Sequence, residues 1–287
     1  MEFLYMYVMR KPGYYIKMVL KMQIEMPKEY YLQPAYYWEI AKGSDWNGYW
    51  GDDIIDNMQY YDSILEELCD NKSKYILISI MMARLTNNWK YYSMCCDSRE
   101  KEYFDKEVIN LLPGQVVVDG GGYTGDTYEH FCRIYESSHV KNWYLYEPDV
   151  LNMQKARINL KSEKNVVFRQ AGLGEKNQYM NFVSTGTVGS KCGGEDTESI
   201  EVVSADTDIT EKITLLKLDV EGMELEALKG AKRHIVEDSP ILVICLYHKR
   251  EDIPELINYV KLLNPKYRLY IRHYSTAHWD TVLYATL

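Results

Sequence analysis

Hydrophobic and polar positions change their rhythm partway along this 287-residue chain. Before about residue 108, apolar residues recur every three or four positions. "DIIDNMQYYDSILEELCD" (53–70) and the run from Ser73 to Trp89 both carry this helical spacing. Beyond Pro113, strand-like runs alternate with helix-like runs. "QVVVDGGG" reads as a strand entering a glycine turn, and "NWYLYEP", "NVVFRQA", "ITLLKLDV" and "PILVICLYH" read as further strands. Helices are predicted over Thr127 to Glu136, Val150 to Leu160, Glu224 to Val236 and Arg250 to Leu263. "QYMNFVS" and "SIEVVSA" predict a two-stranded excursion. "YRLYIRHY" and "TVLYATL" follow each other with no helix between, so one of them runs antiparallel. Such alternation predicts an open, mostly parallel α/β sheet with helices on both faces. Ligands then bind beyond the carboxyl ends of the strands. The chain divides into a helical, aromatic-rich N-terminal subdomain, 1–108, and an α/β domain, 109–287.

Composition narrows the function classes. A net charge of -9 argues against broad nucleic-acid binding, and no apolar run reaches the ~20 residues of a membrane span. The N-terminus lacks the layout of a signal peptide. Six cysteines with no CxxC pair point to a reducing, cytoplasmic compartment without structural disulfides, and adjacent Cys95-Cys96 make a poor metal framework. More than half of the 27 tyrosines precede residue 109. Their rings can pack in a core or stack on a ligand. The region is expected near the mouth of the cleft or at a homodimer contact.

Two stretches carry candidate chemistry. In "VVVDGGGYTGDT" (116–127), Gly120, Gly122 and Gly125 fit GxGxxG after a strand and before a helix, and Glu147 ends the next strand where an acid can hold a ribose. A nicotinamide-dependent oxidoreductase is therefore one reading. Asp119, immediately before the glycines, opposes it: a carboxylate repels a pyrophosphate but favours the ammonium and sulfonium of S-adenosylmethionine. In "KLDVEGMELEALKGA" (217–231), Lys217, Asp219 and Glu221 alternate with Leu218 and Val220 at the end of an apolar run. On a strand they share one face, and charges buried there need partners. They either line a site or mark a solvated strand end.

Together, "VVVDGGGYTGDT", "LYEPD", "LLKLDVEGMELEALKGA" and "LYHKREDI" resemble the FkbM family of S-adenosylmethionine-dependent methyltransferases over residues 109 to 287, and "EYFDKEVINLL" (102–112) is similar to the run-in of some members. The resemblance implies a class I, Rossmann-like fold of seven strands with the last inserted antiparallel. It also implies O-methylation of a hydroxyl on a saccharide or saccharide-linked metabolite, a small-molecule or glycan acceptor, in keeping with the sugar and polyketide-like hydroxyls that family members mostly methylate. It assigns Asp119, Gly120, Gly121, Gly122, Tyr123, Gly125, Glu147 and Pro148 to the cofactor, with Gln170 departing from the acid expected on the adenine side. In this fold Asp119, Asp219 and Glu221, and His248 end neighbouring strands. His248 then serves as general base, an ordinary histidine titrating at about 6.5, with Asp219 orienting it or binding the acceptor. Lys217 pairs with Asp219 or binds an anionic acceptor. Glu221 joins this set or satisfies helix-start amides. Ser190 in the small, polar loop "STGTVGSKCGG" is the acceptor-contact candidate, and His273 is read as structural. The carboxylates and His248 could hold a divalent metal, though none is expected. A non-catalytic binding protein of the same fold is the remaining alternative.

Overall fold

The computed structural model describes residues 51–86, 88–183, 191–192 and 198–287. Among them a seven-stranded sheet is built from β1 (Gln115–Gly120), β2 (Val140–Tyr146), β3 (Val166–Arg169), β8 (Leu215–Leu218), β9 (Ile241–Cys245), β10 (Arg268–His273) and β11 (Thr281–Thr286), in the order β10-β11-β9-β8-β1-β2-β3. β1, β2, β3, β8 and β9 pair in parallel. β11 runs antiparallel to both neighbours, as expected of the last strand. The central strands are buried on both faces, so apart from Gln115, Asp119 and Lys217 their sequences are apolar runs without alternation. No helix among the described residues is long and apolar enough to cross a membrane.

Helices α5 (Asp126–Tyr135), α6 (Val150–Asn159) and α10 (Asp252–Leu263) follow the expected spans closely. Two expectations need correction. The two-stranded excursion is part of a four-stranded sheet, ordered β4-β7-β5-β6, in which β5 (Gln178–Val183) and β7 (Glu198–Val203) pair with the two-residue strands β4 (Gly172–Leu173) and β6 (Lys191–Cys192). A short helix α7 (Ala205–Asp208) follows it. The single helix expected from Glu224 is two, α8 (Glu224–Gly230) and α9 (Lys232–Glu237). A Cβ on Gly230 would lie 1.9 Å from the carbonyl oxygen of Gly174, so only glycine permits this approach. Asp206 then accepts from the N–H groups of Arg233 (2.7 Å) and His234 (3.1 Å), restarting the helix.

Helices α1 (Gly51–Asp56), α2 (Met58–Glu67), α3 (Asn71–Thr86) and α4 (Lys90–Cys95) precede the sheet. α3 carries Ile76, Leu77, Ile78, Ile80, Met81, Met82 and Ala83, all buried. A helix apolar on nearly every side belongs inside a core. It packs on β10 and shares one apolar cluster with the sheet residues Leu216, Leu269 and Ile271.

A polar anchor fixes that contact. The Ile271 N–H donates to Ser73 Oγ at 2.9 Å. Arg272, 1 % exposed, donates to the same hydroxyl (2.9 Å), pairs with Asp70 (2.7 Å) and reaches the fully buried Asp105 (3.4 Å). Removing one partner of a buried pair leaves the other charge uncompensated, at roughly 3–5 kcal/mol. Arg272→Ala should therefore lower the unfolding free energy in urea by about that amount; a loss below about 1 kcal/mol would show that α3 is held by apolar packing alone.

Candidate active site

The site forms where the carboxyl ends of β1, β8 and β9 meet. After Gly120 the chain turns sharply. Gly121 has φ +75°, and a Cβ there would lie 1.8 Å from the carbonyl oxygen of Asp219. A Cβ on Gly122 would lie 2.4 Å from the Leu145 side chain. The turn therefore packs directly onto the ends of β8 and β2. Its amides are used internally. Gly121 and Gly122 N–H both donate to Tyr146 O (3.0 and 2.9 Å), Gly125 N–H donates to Gly122 O (2.8 Å), and Tyr123 N–H donates to Glu147 Oε2 (2.9 Å). A pyrophosphate bound over such a turn would need these donors. Their commitment within the protein weighs against a dinucleotide more directly than Asp119 does.

Glu147 is buried and also accepts from Asp149 N–H at 2.9 Å. Burial pushes its carboxyl up to about 7, against the opposing effect of the two amides. Each oxygen keeps a second acceptor position, which suits a pair of ribose hydroxyls. Pro148, next to it, is half-buried, whereas Gln170 is exposed just beyond β3.

Asp119 and Lys217 differ from the sequence expectation. They are register partners on β1 and β8, and both are almost fully buried. Lys217 Nζ lies 3.0 Å from Asp119 Oδ1 and donates to the carbonyls of Gly120 (3.2 Å) and Gly121 (2.8 Å). Trp143 Nε1 donates to Asp119 Oδ2 at 3.2 Å. Burial disfavours the lysine's charge, but Asp119 and Asp219 more than offset this and hold it protonated. Lys217 thus pairs with Asp119 and not primarily with Asp219. Both side chains face the interior, where together they shape the turn.

Asp219 is the carboxylate that the cleft reaches, its side chain 22 % exposed against 2 % for Lys217. Tyr103 donates to Oδ2 at 2.8 Å, Tyr247 donates to Oδ1 at 3.0 Å, and His248 Nε2 lies 3.4 Å from Oδ1. Burial alone would raise this carboxyl. The charges of Lys217 and His248 and the two phenols hold it below its usual value instead. His248 Nδ1 lies 2.8 Å from Glu224 Oε1, which also accepts Val220 N–H at 2.9 Å. Burial disfavours the charged ring, but Glu224, Asp219 and Glu221 raise it to about 9. At neutral pH His248 is therefore an imidazolium, displaced from the ordinary value of about 6.5.

Glu221 adopts φ +53° and stands 3.8 Å from His248 Nε2; the amide at the helix start goes to Glu224. Glu221, Tyr103 (φ +63°), Tyr123 (φ +45°) and Asp280 (φ +61°) all hold left-handed backbone at this end of the sheet. Such conformations cost side chains about 1–3 kcal/mol each and cluster where geometry serves a site.

Asp219, Glu224 and His248 also bring three candidate metal-ligand atoms within 4.8 Å of one another. Both ring nitrogens face carboxylates, so the charge network itself accounts for this cluster. Carboxylates outnumber cations in the cleft, which fits a cationic methyl donor. Ser190 lies outside the described residues. His273 is fully buried against Tyr92, with Nδ1 2.9 Å from Thr281 Oγ1, in keeping with a structural role. The sequence reading missed Tyr103, Tyr247 and Glu224. Tyr247 was signalled only by its place beside His248, and Glu224 only by standing three residues after Glu221.

Comparisons with known proteins agree with this geometry. The family described as "Methyltransferase FkbM domain" matches residues 119–270. No curated protein matches the chain. The crystal structure of methyltransferase FkbM from Methylobacillus flagellatus KT aligns with a TM-score of 0.74 at 27% identity, covering 83% of this chain and 60% of that one. The chain thus spans about three fifths of that relative's length. Fibrillarin of Aeropyrum pernix, solved with natively bound S-adenosyl-L-methionine, aligns at 12% identity and TM-score 0.45 over 69% of this chain and 76% of that one, too distant to carry an argument.

The charge on His248 has a measurable consequence. Its folded value, about 9, exceeds an unfolded value of about 6.5. The stability this contributes is fully present below about pH 6.5 and is lost as pH rises through about 9. The difference in unfolding free energy between wild type and His248→Gln should be on the order of 3 kcal/mol at pH 6 and shrink toward pH 9.5. A difference that stays constant across this range would mean that the ring binds its proton equally well folded and unfolded.

Proposed function

The chain belongs to the FkbM methyltransferase family, and we propose that it transfers the methyl group of S-adenosylmethionine to a hydroxyl of a saccharide or saccharide-linked metabolite. A cytoplasmic setting is part of this reading. When bound, the donor supplies an electrophilic methyl group on a sulfonium. Glu147 would accept from its ribose hydroxyls, beside Pro148, while the close-packed turn of Gly120, Gly121, Gly122, Tyr123 and Gly125 forms the floor. Asp119 and Lys217 hold that floor from beneath.

The observation that carries the acceptor side is Asp219. It is partly exposed at the strand ends, and four donors or cations keep it ionised. It accepts the hydroxyl's hydrogen bond, aims the oxygen and receives the proton as the new C–O bond forms. Its low proton affinity is tolerable because the alcohol becomes acidic only as methyl transfer proceeds. Glu224 fixes one side of the His248 ring, and the other side holds Asp219 in place. The base role expected of His248 thus passes to Asp219, because a ring charged at neutral pH has no lone pair for the proton. An acidic cleft lined by phenols also favours a neutral polyhydroxyl acceptor over a phosphate or carboxylate.

Labelled methyl donor incubated with glycan precursors and cell extract tests the reading; label on an acceptor without hydroxyl groups would overturn it. Asp219→Asn should lower the single-turnover rate by roughly 10²–10⁴-fold while S-adenosylhomocysteine affinity stays within a few-fold. The rate should be level through neutral pH and fall above about 9 as His248 loses its proton. A rate that climbs through 9 would instead make neutral His248 the proton acceptor.

A further inference from the structure

Two buried carboxylates beside the site have no part in the reaction above. Glu102 and Asp280 each expose only 9 % of their side chains, yet both lean on a single guanidinium, that of Arg99, which is 74 % exposed. The separations are 3.4 Å to Glu102 and 3.6 Å to Asp280. A solvated arginine at such distances offsets little of the cost of burying two acids. Burial pushes Glu102 up to about 7, and the like charges of Asp280 and Asp219 add to the effect. Asp280 is held in left-handed backbone, φ +61°. Stability alone gives no reason for this arrangement, whereas a ligand that donates hydrogen bonds does.

The placement fits an acceptor. Thr281 O accepts from Leu246 N–H at 2.9 Å, which sets Asp280 alongside the chain leading to Tyr247 and His248. Next to Asp280 comes an aromatic group. Trp279 meets Trp89 edge to face, centroids 6.2 Å apart and planes at 86°. His278 lies against both, at 4.9 Å from Trp279 and 5.6 Å from Trp89. The indoles remain 42% and 40% exposed. These rings, with Trp279 on the segment that carries Asp280, leave an apolar surface open to a ligand. Carboxylates that accept from hydroxyls, next to rings that cover apolar C–H faces, complement a pyranose, which offers both kinds of surface.

We propose that Glu102 and Asp280, with Trp89 and Trp279, seat a saccharide ring of the acceptor, the carboxylates taking its hydroxyls and the indoles its apolar face. This rests on the reading that the acceptor is a saccharide. It assigns specificity to residues 99–102 and to the segment joining β10 to β11, and leaves chemistry to Asp219.

Saturation-transfer NMR with methyl glucoside, methyl galactoside, methyl mannoside and maltotriose tests the seat on the full chain, with calorimetry of S-adenosylhomocysteine in parallel. Asp280→Asn keeps a residue that tolerates left-handed backbone and removes the charge; Trp279→Phe keeps a ring and Trp279→Ala removes it. The expected result is saturable binding of at least one saccharide, weakened tenfold or more by Asp280→Asn and Trp279→Ala, less by Trp279→Phe, with S-adenosylhomocysteine affinity unchanged in all three. Saccharide binding or methylation that is unaffected in the first two variants would overturn the seat and leave the saccharide reading intact. Wild-type protein that binds S-adenosylhomocysteine and methylates only non-saccharide acceptors, with no saccharide bound, would overturn both.

Discussion

The site depends on one buried ammonium. Lys217 reaches from β8 to its register partner on β1 and neutralises Asp119 where water does not reach. The same nitrogen collects the carbonyls of Gly120 and Gly121. With these oxygens turned toward the lysine, the amides of Gly121 and Gly122 point the other way, onto Tyr146 O. The turn is thus fixed from both sides and passes so close to Asp219 that no side chain fits at Gly121. Desolvating an ion pair is expensive, and such pairs are seldom justified by stability alone. Here the pair orients two strand ends and a turn at once, an arrangement that apolar replacements of similar size could not impose on the carbonyls.

From that point outward, burial falls and the purpose of each charge changes. Lys217 faces the interior, Asp219 is shared between protein and cleft, and Glu221 is more open still. The alternation that puts the three on one strand face holds only as far as Leu218, where β8 ends. Beyond it the left-handed turn at Glu221 and Gly222 swings the chain into α8 and frees Glu224 to meet His248. The result is a run of contacts from Glu224 through His248 to Asp219 and Lys217, in which the carboxylates favour the charge on His248, and Lys217 and His248 favour the charge on Asp219.

The parallel sheet was readable because its strands are apolar runs closed by glycine or charge, and because α5, α6 and α10 keep a helical period. What stayed hidden has causes far away in sequence. The break between α8 and α9 comes from Gly174, and β4 and β6 are too short to show any period. The cleft shows the same division. Asp219 and His248 stand out because they end apolar strands, whereas which acid Lys217 meets is decided by the pairing of β8 with β1. Tyr103, Glu102 and Asp280 come from connecting segments, where no periodicity marks a side chain that will point inward. Glu224 looked like an ordinary acid in the first turn of a helix, and only the fold reveals that it faces a histidine.

The reversed direction of β11 has an effect on how this fold can diversify. In a parallel sheet each strand reaches the reactive edge only at its carboxyl end, and the loop that leaves it must lead into a helix. β11 instead begins at that edge, so the segment from Tyr274 to Asp280 spans two strands that pair directly over six residue positions. Such a loop can lengthen, shorten or change its residues while the ladder beneath it keeps register, and no crossover helix has to move. The segment is in this sense detachable from the strand ends that carry Asp219 and His248. Sequence change in that segment therefore need not disturb Lys217, Asp219 or His248 at the strand ends beside it.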